Sequence, residues 1–367
     1  MARNPADRPL PSIARHVVAA LLTLAMFGAG AWLVLSTGEV EQAWATSEVT
    51  LPERGLPPTT DNLLADDEAG LPDLLREVAA NANPTEGLVA PPSSPKGKRL
   101  ELPTRNVALP SAPVAKLEIT GPFGRMPVRA SDGSTAFAAY SRPFEDTDKQ
   151  NLSLVVGGLG IDPDVTRRAI EELPPEITLA FAAHASGLQD YITSARAVGH
   201  EVVLEIPLEG ARTNVGEPGA DRTLRIGQTE SNARHIDFLL SRGTGYFAVM
   251  PYNGELFLAS PNDVKALSER LHTAGLGLLT DGESTADGLS GIASEADLPF
   301  RDGSLLIDVV PMPSTVAQNL EDLRARALAG NAPIGFGFAY PQTVDAILAW
   351  LPTLERVELA PASAAMR

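Results

Sequence analysis

Glu205 and Glu209 punctuate the run EVVLEIPLEG, one inside an apolar stretch and one just past it, where a turn begins. Carboxylates near a strand end can do acid–base work or hold sugar hydroxyls, and a solvated rim is the plainer alternative. Asp281, heading Asp281-Gly282-Glu283 after another apolar stretch, is of the same type. Glu209 and Asp281 are the candidate catalytic carboxylates. Tyr252-Asn253 and Tyr340 put aromatic faces and an amide at two further strand ends, which suits a sugar ring through stacking and hydrogen bonds. With Glu205 they form the candidate ligand-binding set, although Asn253-Gly254 also reads as an ordinary turn. His184, in FAAHASG, is either a proton shuttle or ligand, or a structural histidine. His16, His200, His235 and His272 are scattered without the His-x-x-x-His spacing of a helical metal site. Cysteine is absent, so there is no thiolate ligand and no disulfide. No G-x-S-x-G elbow marks a nucleophile.

The elements that must position these groups alternate two periodicities from about residue 151 to 363. Apolar runs at 152–156, 177–181, 201–207, 246–250, 276–280, 304–310, 334–338 and 356–360 predict strands. Helical spacing lies between them. Asp162-Pro163 opens a helix with Val165, Ala169 and Leu173 on one face; Leu188, Ile192 and Ala195 line the next, which Gly199 ends. Ser260-Pro261 opens a third, carrying Val264, Leu267 and Leu271 to Gly275, and Val344, Ile347, Leu348 and Leu351 build the last. Strands apolar on both faces, separated by helices, imply a parallel sheet covered on both sides. The expected fold is α/β, an irregular (β/α) barrel of about seven strands, with chemistry at the C-terminal strand ends. The first of those ends is GGLG, where Gly157, Gly158 and Gly160 make either a tight turn or a backbone cradle for an anion.

The flanks bound location and partners. Val17 to Gly38 has no charged residue and, at ~1.5 Å per residue, can cross a ~30 Å hydrocarbon core. Arg3, Arg8 and Arg15 precede it while Glu39 and Glu41 follow, which places the N-terminus in the cytoplasm. Ala43-Trp44-Ala45 offers a cleavage site, so a removable signal peptide is the alternative to an anchor. The expected order is a cytoplasmic start (1–16), a transmembrane helix (17–38), an acidic Pro-rich disordered linker (39–113), an arm (114–150) and the barrel (151–363). The net charge of −17 argues against nucleic acid as a partner.

The ordered blocks LSLVVGGLG, LPPEITLAF, ARAVGHEVVLEIPLEG, GYFAVMPYNGELF, GLLTDGEST and GFAYPQT resemble those of the divergent polysaccharide deacetylases. GPFGRMPVRASDGSTAFAAYSRPF resembles the arm often found upstream of them. The resemblance implies a β/α barrel built for metal-dependent removal of N-acetyl groups from glycan, with aspartate and histidine ligands. It also implies where this chain departs. Gly157 and Gly158 stand in place of an Asp pair; Glu205, Tyr252 and Phe338 stand in place of histidines; Glu209 and Asp281 keep acidic residues. The expectation is therefore a deacetylase-like protein of the bacterial inner membrane, its main domain periplasmic, degenerate in catalysis. It would bind envelope glycan such as peptidoglycan, or an envelope protein, without a resident cofactor. One alternative is an active enzyme with a divalent metal on carboxylates, Glu205, Glu209 and Asp281 supplying an all-oxygen site. Another is an envelope scaffold.

Overall fold

The computed structural model describes residues 107–211, 219–282 and 288–366. The expected membrane segment at 17–38 and most of the expected linker lie outside the described residues. Among the described residues no helix is long and apolar enough to cross a membrane.

The described chain begins with a hairpin, β1 (Glu118–Gly121) and β2 (Gly124–Pro127), and a short helix, α1 (Ala136–Tyr140). Strands and helices then alternate: β3 (Gln150–Leu159), α2 (Pro163–Glu172), β4 (Thr178–Ala182), α3 (Leu188–Val198) and β5 (Val202–Pro207). Next come α4 (Thr229–Leu240), β6 (Ala248–Tyr252), α5 (Glu255–Leu258), α6 (Pro261–Ala274), β7 (Gly277–Thr280) and α7 (Leu289–Glu295). The last are β8 (Phe300–Asp302), β9 (Leu305–Leu306), α8 (Pro313–Leu328), β10 (Ile334–Phe338), α9 (Pro341–Trp350) and β11 (Val357–Leu359).

Eight strands form a curled, all-parallel sheet in the order β8-β7-β6-β5-β4-β3-β10-β9, with β11 added beside the start of β3. This is an α/β fold consistent with a (β/α) barrel. Every residue of β4, β5 and β7 is buried, as a sheet covered on both faces requires. The helices present the apolar faces their spacing predicts: Val165 and Ala169 of α2, Leu188, Ile192 and Ala195 of α3, and Val264, Leu267 and Leu271 of α6 are all buried. Asp162 caps α2, its Oδ1 accepting from the amides of Asp164 (2.8 Å) and Val165 (3.1 Å).

One expected strand is different. The apolar run at 304–310 forms only the two-residue ladder β9, and β8 precedes it at 300–302. The break falls at Gly303-Ser304, where the backbone changes partner: Gly303 N–H donates to Thr280 O and Ser304 N–H to Ile334 O, both at 2.8 Å. β8 lies outside every expected run, and this additional strand turns the expected count of about seven into eight.

The leading segment is fastened to the end of the sheet where strands begin. Buried Arg196 of α3 donates to Tyr140 O (3.0 Å), Gly245 O (3.0 Å) and Pro110 O (2.8 Å). Arg142 donates to Gly199 O (2.8 Å) and pairs with Glu176 (2.9 Å). His200 lies at this end too, its ring nitrogens 2.7 Å from Ile177 O and 3.3 Å from Ile170 O. Among the described residues this leading segment leaves the C-terminal strand ends open.

Candidate functional site

A cleft of about 470 Å³ opens at those C-terminal ends. Its walls come from the ends of β3 and β10 and the residues just beyond them (Gly158, Ile161, Phe338, Tyr340), from the end of β4 and the turn after it (Ala182, His184), and from β5 and β6 (Glu205, Pro207, Tyr252). Alternate residues of a strand share a face, and Glu205 and Pro207 accordingly both reach the cleft from β5.

Glu205 is the central polar group. It is 3% exposed, and its Oε1 accepts from the Gly158 amide at 2.9 Å. Burial disfavours the charged carboxylate and pushes its pKa to about 7, against the opposing pull of the Gly158 N–H. Across from it, a Cβ added at Gly157 would land on Glu205 Oε1. A side chain at 157 would therefore displace the Glu205 carboxyl from its place over β3. Gly158 has φ +70°, and the β3–β4 register shifts between Val156 and Leu159, so the GGLG run is a bulge. The Gly158 amide does hold an anion-forming group, but that group is the protein's own carboxyl.

His184 stands in the wall between this cleft and a second cavity of about 290 Å³. Its Nε2 is buried without a hydrogen-bond partner among the described residues. Burial, then the nearby Arg242 guanidinium, lower its pKa, so it is a neutral imidazole near pH 7.

Tyr252 and Tyr340 are cleft residues with faces left in solvent, 39% and 44% exposed. Phe338 extends the apolar wall beside Tyr340, ring centroids 6.2 Å apart. Behind it, Asp308 Oδ2 accepts from Phe338 N–H and from Thr343 Oγ1, each at 2.7 Å. Burial raises the pKa of Asp308. The sequence marks Asp308 only as an acid on a strand; its role in holding the Phe338 backbone becomes visible once 308 and 338 are neighbours.

The remaining sequence candidates are placed elsewhere. Glu209 is a loop fastener: its Oε2 accepts from Ile226 N–H at 2.9 Å and its Oε1 lies 3.7 Å from Arg225. Asp281 and Asn253 line a separate cavity of about 240 Å³, which shares Tyr252 and Phe338 with the cleft. Asn253 has φ +57°, the left-handed geometry that asparagine tolerates in turns. The structure thus groups Glu205, Tyr252 and Tyr340, and leaves Glu209, Asp281 and Asn253 outside that group. Among the described residues no three His, Asp or Glu side chains converge to hold a metal.

The model of the family described as divergent polysaccharide deacetylase matches residues 154–366, more than half the chain. The chain belongs to this family. The crystal structure of an uncharacterized protein from Agrobacterium tumefaciens C58 is similar, with 31% identity and TM-score 0.62 over 65% of this chain and 98% of that one. A Plasmodium falciparum HPPK-DHPS overlaps at TM-score 0.29 and 10% identity, over 66% of this chain and 52% of that one. That overlap is too weak to bear on fold or function. No curated protein matches.

Membership sharpens the geometry at Glu205. A metal-dependent deacetylase needs about three protein ligands around its ion. Here the end of β3 offers glycines and no acid, and the space above Gly157 is filled by the Glu205 carboxyl. Glu205, Glu209 and Asp281, the all-oxygen set weighed above, do not converge. The described donors do not fit the family's metal.

Proposed function

We propose that this protein is a glycan-binding member of the divergent polysaccharide deacetylases that has given up metal-assisted hydrolysis. It holds N-acetylated envelope glycan, such as peptidoglycan, in the cleft at the C-terminal strand ends. Tyr252 and Tyr340 stack on sugar faces, each contact adding about 0.5–1.5 kcal/mol. Phe338, Ile161 and Pro207 take apolar ring edges and the acetyl methyl. Glu205, largely protonated below pH 7, donates to a sugar or acetamide oxygen; above pH 7 it accepts instead.

In this reading Val17 to Gly38 anchors the chain in the inner membrane and the Pro-rich stretch sets the reach of the periplasmic domain. The observation that carries the reading is the Glu205 carboxyl lying over Gly157 and bound to the Gly158 amide, where the resemblance implies an acid pair. Calorimetric titration of the full-length protein with chitotetraose tests it. Binding that Glu205→Ala weakens at least fivefold is expected. Absence of binding to chitooligosaccharide and to soluble peptidoglycan fragments overturns it in favour of an envelope-protein partner.

A further inference from the structure

The second cavity, on the far side of His184, differs from the cleft in its charge. Arg222 and Arg242 both reach it, and both guanidiniums sit over the ring of Phe238, Cζ to centroid 4.6 Å and 5.8 Å. Stacking on an aromatic ring fixes a guanidinium in place while leaving its edge N–H groups to donate. Arg242 Nε is held by Ala183 O at 3.2 Å. Arg222 Nε lies 3.3 Å from Asp221, whose side chain is 75% exposed, a pairing that water screens heavily. Among the described residues Arg242 has no salt-bridge partner. Within a chain of net charge −17, two ring-held cations against the single carboxylate of Asp221 in the same lining are a local exception.

The two cavities adjoin, since His184 and Pro207 line both. His184 lies in that shared wall, and its Nε2 is buried without a hydrogen-bond partner among the described residues. A neutral imidazole there can donate to an anion, and the energetic cost of leaving it unmatched disappears when it does.

We propose that the Arg222–Arg242–His184 cavity is a subsite for the negatively charged substituent, carboxylate or phosphate, of a sugar whose ring lies in the adjoining cleft. The proposal rests on the glycan reading above and names its substrate class: acidic rather than neutral amino sugars. Arg242 and Arg222 take the oxygens by charge-assisted hydrogen bonds, and His184 adds a third donor from the shared wall.

The test compares N-acetylglucosamine with N-acetylmuramic acid, the same ring carrying a lactyl carboxylate, and with N-acetylglucosamine 6-phosphate. Inorganic phosphate serves as a sugar-free probe. At low ionic strength the full-length protein should bind one or both acidic sugars about tenfold more tightly than the neutral one, and which of the two gains separates carboxylate from phosphate. NMR titration, with the His184 signal assigned through His184→Gln, should show its pKa rising by about one unit when phosphate or the preferred sugar is bound. The R222Q/R242Q double variant should lose the preference while binding neutral sugar as before, and R222K/R242K should keep most of it. Equal affinities for acidic and neutral sugars, or a preference that survives R222Q/R242Q, overturn the subsite. Phosphate moving the His184 titration without any sugar binding upholds the anion site and overturns the glycan reading; neutral sugar binding without any response to phosphate does the reverse.

Discussion

The Glu205 carboxyl and the missing side chain of Gly157 share one volume: Oε1 of the first occupies the place where a Cβ on the second would stand. The two residues lie on strands separated by β4, so the relationship belongs to the folded sheet and not to local sequence. It also explains why the bulge at Gly158 faces the cleft with its amide already satisfied.

Gly157→Ala is expected to displace Glu205 from the Gly158 amide and to cost about 1–3 kcal/mol, the usual range for overpacking a buried site. In a Glu205→Ala background the same change should cost far less, giving a coupling of about 1 kcal/mol or more. Urea unfolding of the two single variants and the double variant measures it. Additive costs contradict the shared volume.

The protonation of Glu205 sets a pH dependence with a defined sign. Its pKa is raised from 4.5 to about 7, so between those values the folded state holds a proton that the unfolded state has released. Stability therefore falls as pH rises through this window, by roughly 3 kcal/mol at 1.36 kcal/mol per pKa unit. Glu205→Gln removes the charge and keeps the shape. It should be more stable than wild type at pH 8, with the difference vanishing near pH 4.5 in thermal melts. A variant equally destabilised at both pH values contradicts the raised pKa.

His200 acts in the opposite direction. Burial lowers its pKa from 6.5 to about 4 despite two carbonyl neighbours. The unfolded state takes up a proton below 6.5 that the folded state refuses until about 4. Stability is lost as pH falls through that window, again by roughly 3 kcal/mol. The two effects nearly cancel in the wild type, so single variants are needed to see either. His200→Gln should flatten this acid-side loss in urea titrations at pH 7 and 4.5, leaving a protein more stable at the lower pH. An unchanged pH profile contradicts it.

Asp308 is a positioning residue for the aromatic wall. Asp308→Ala strips the acceptor from Phe338 N–H and Thr343 Oγ1, which should cost about 2–4 kcal/mol. Asp308→Asn keeps that acceptor and should cost about 1 kcal/mol or less. Equal losses in urea unfolding contradict the role.

Tyr252 and Tyr340 carry exposed faces, so truncating either should leave the protein folded, which a thermal melt checks. Chitotetraose affinity should fall about three- to tenfold for each alanine variant, as expected for one lost stacking contact. Calorimetry reads both arms, and unchanged affinity in both variants contradicts sugar stacking.

Much of the fold was legible because a strand buried on both faces is an unbroken apolar run. The expected strand at 334–338 coincides with β10, and those at 177–181 and 276–280 lie within one residue of β4 and β7. The run 304–310 misled because apolar character persists past Ile307, where pairing with β10 stops and Val309 and Val310 turn to solvent. Glu205, Tyr252 and Tyr340 were locatable as polar or aromatic groups at the ends of such runs. Glu209 was not distinguishable from Glu205 by position, because what separates them is Arg225 and the Ile226 amide, brought over by a later loop. His184 was a lone histidine in the sequence; only the cavity walls on both sides of its ring give it a role.

The central claim is that the cleft holds glycan through Glu205 and aromatic faces with no metal required. Calorimetric titration of chitotetraose into the full-length protein, before and after exhaustive chelation and again with added zinc, tests it most directly. The account predicts one affinity under all three conditions. Binding that chelation abolishes and zinc restores would contradict it.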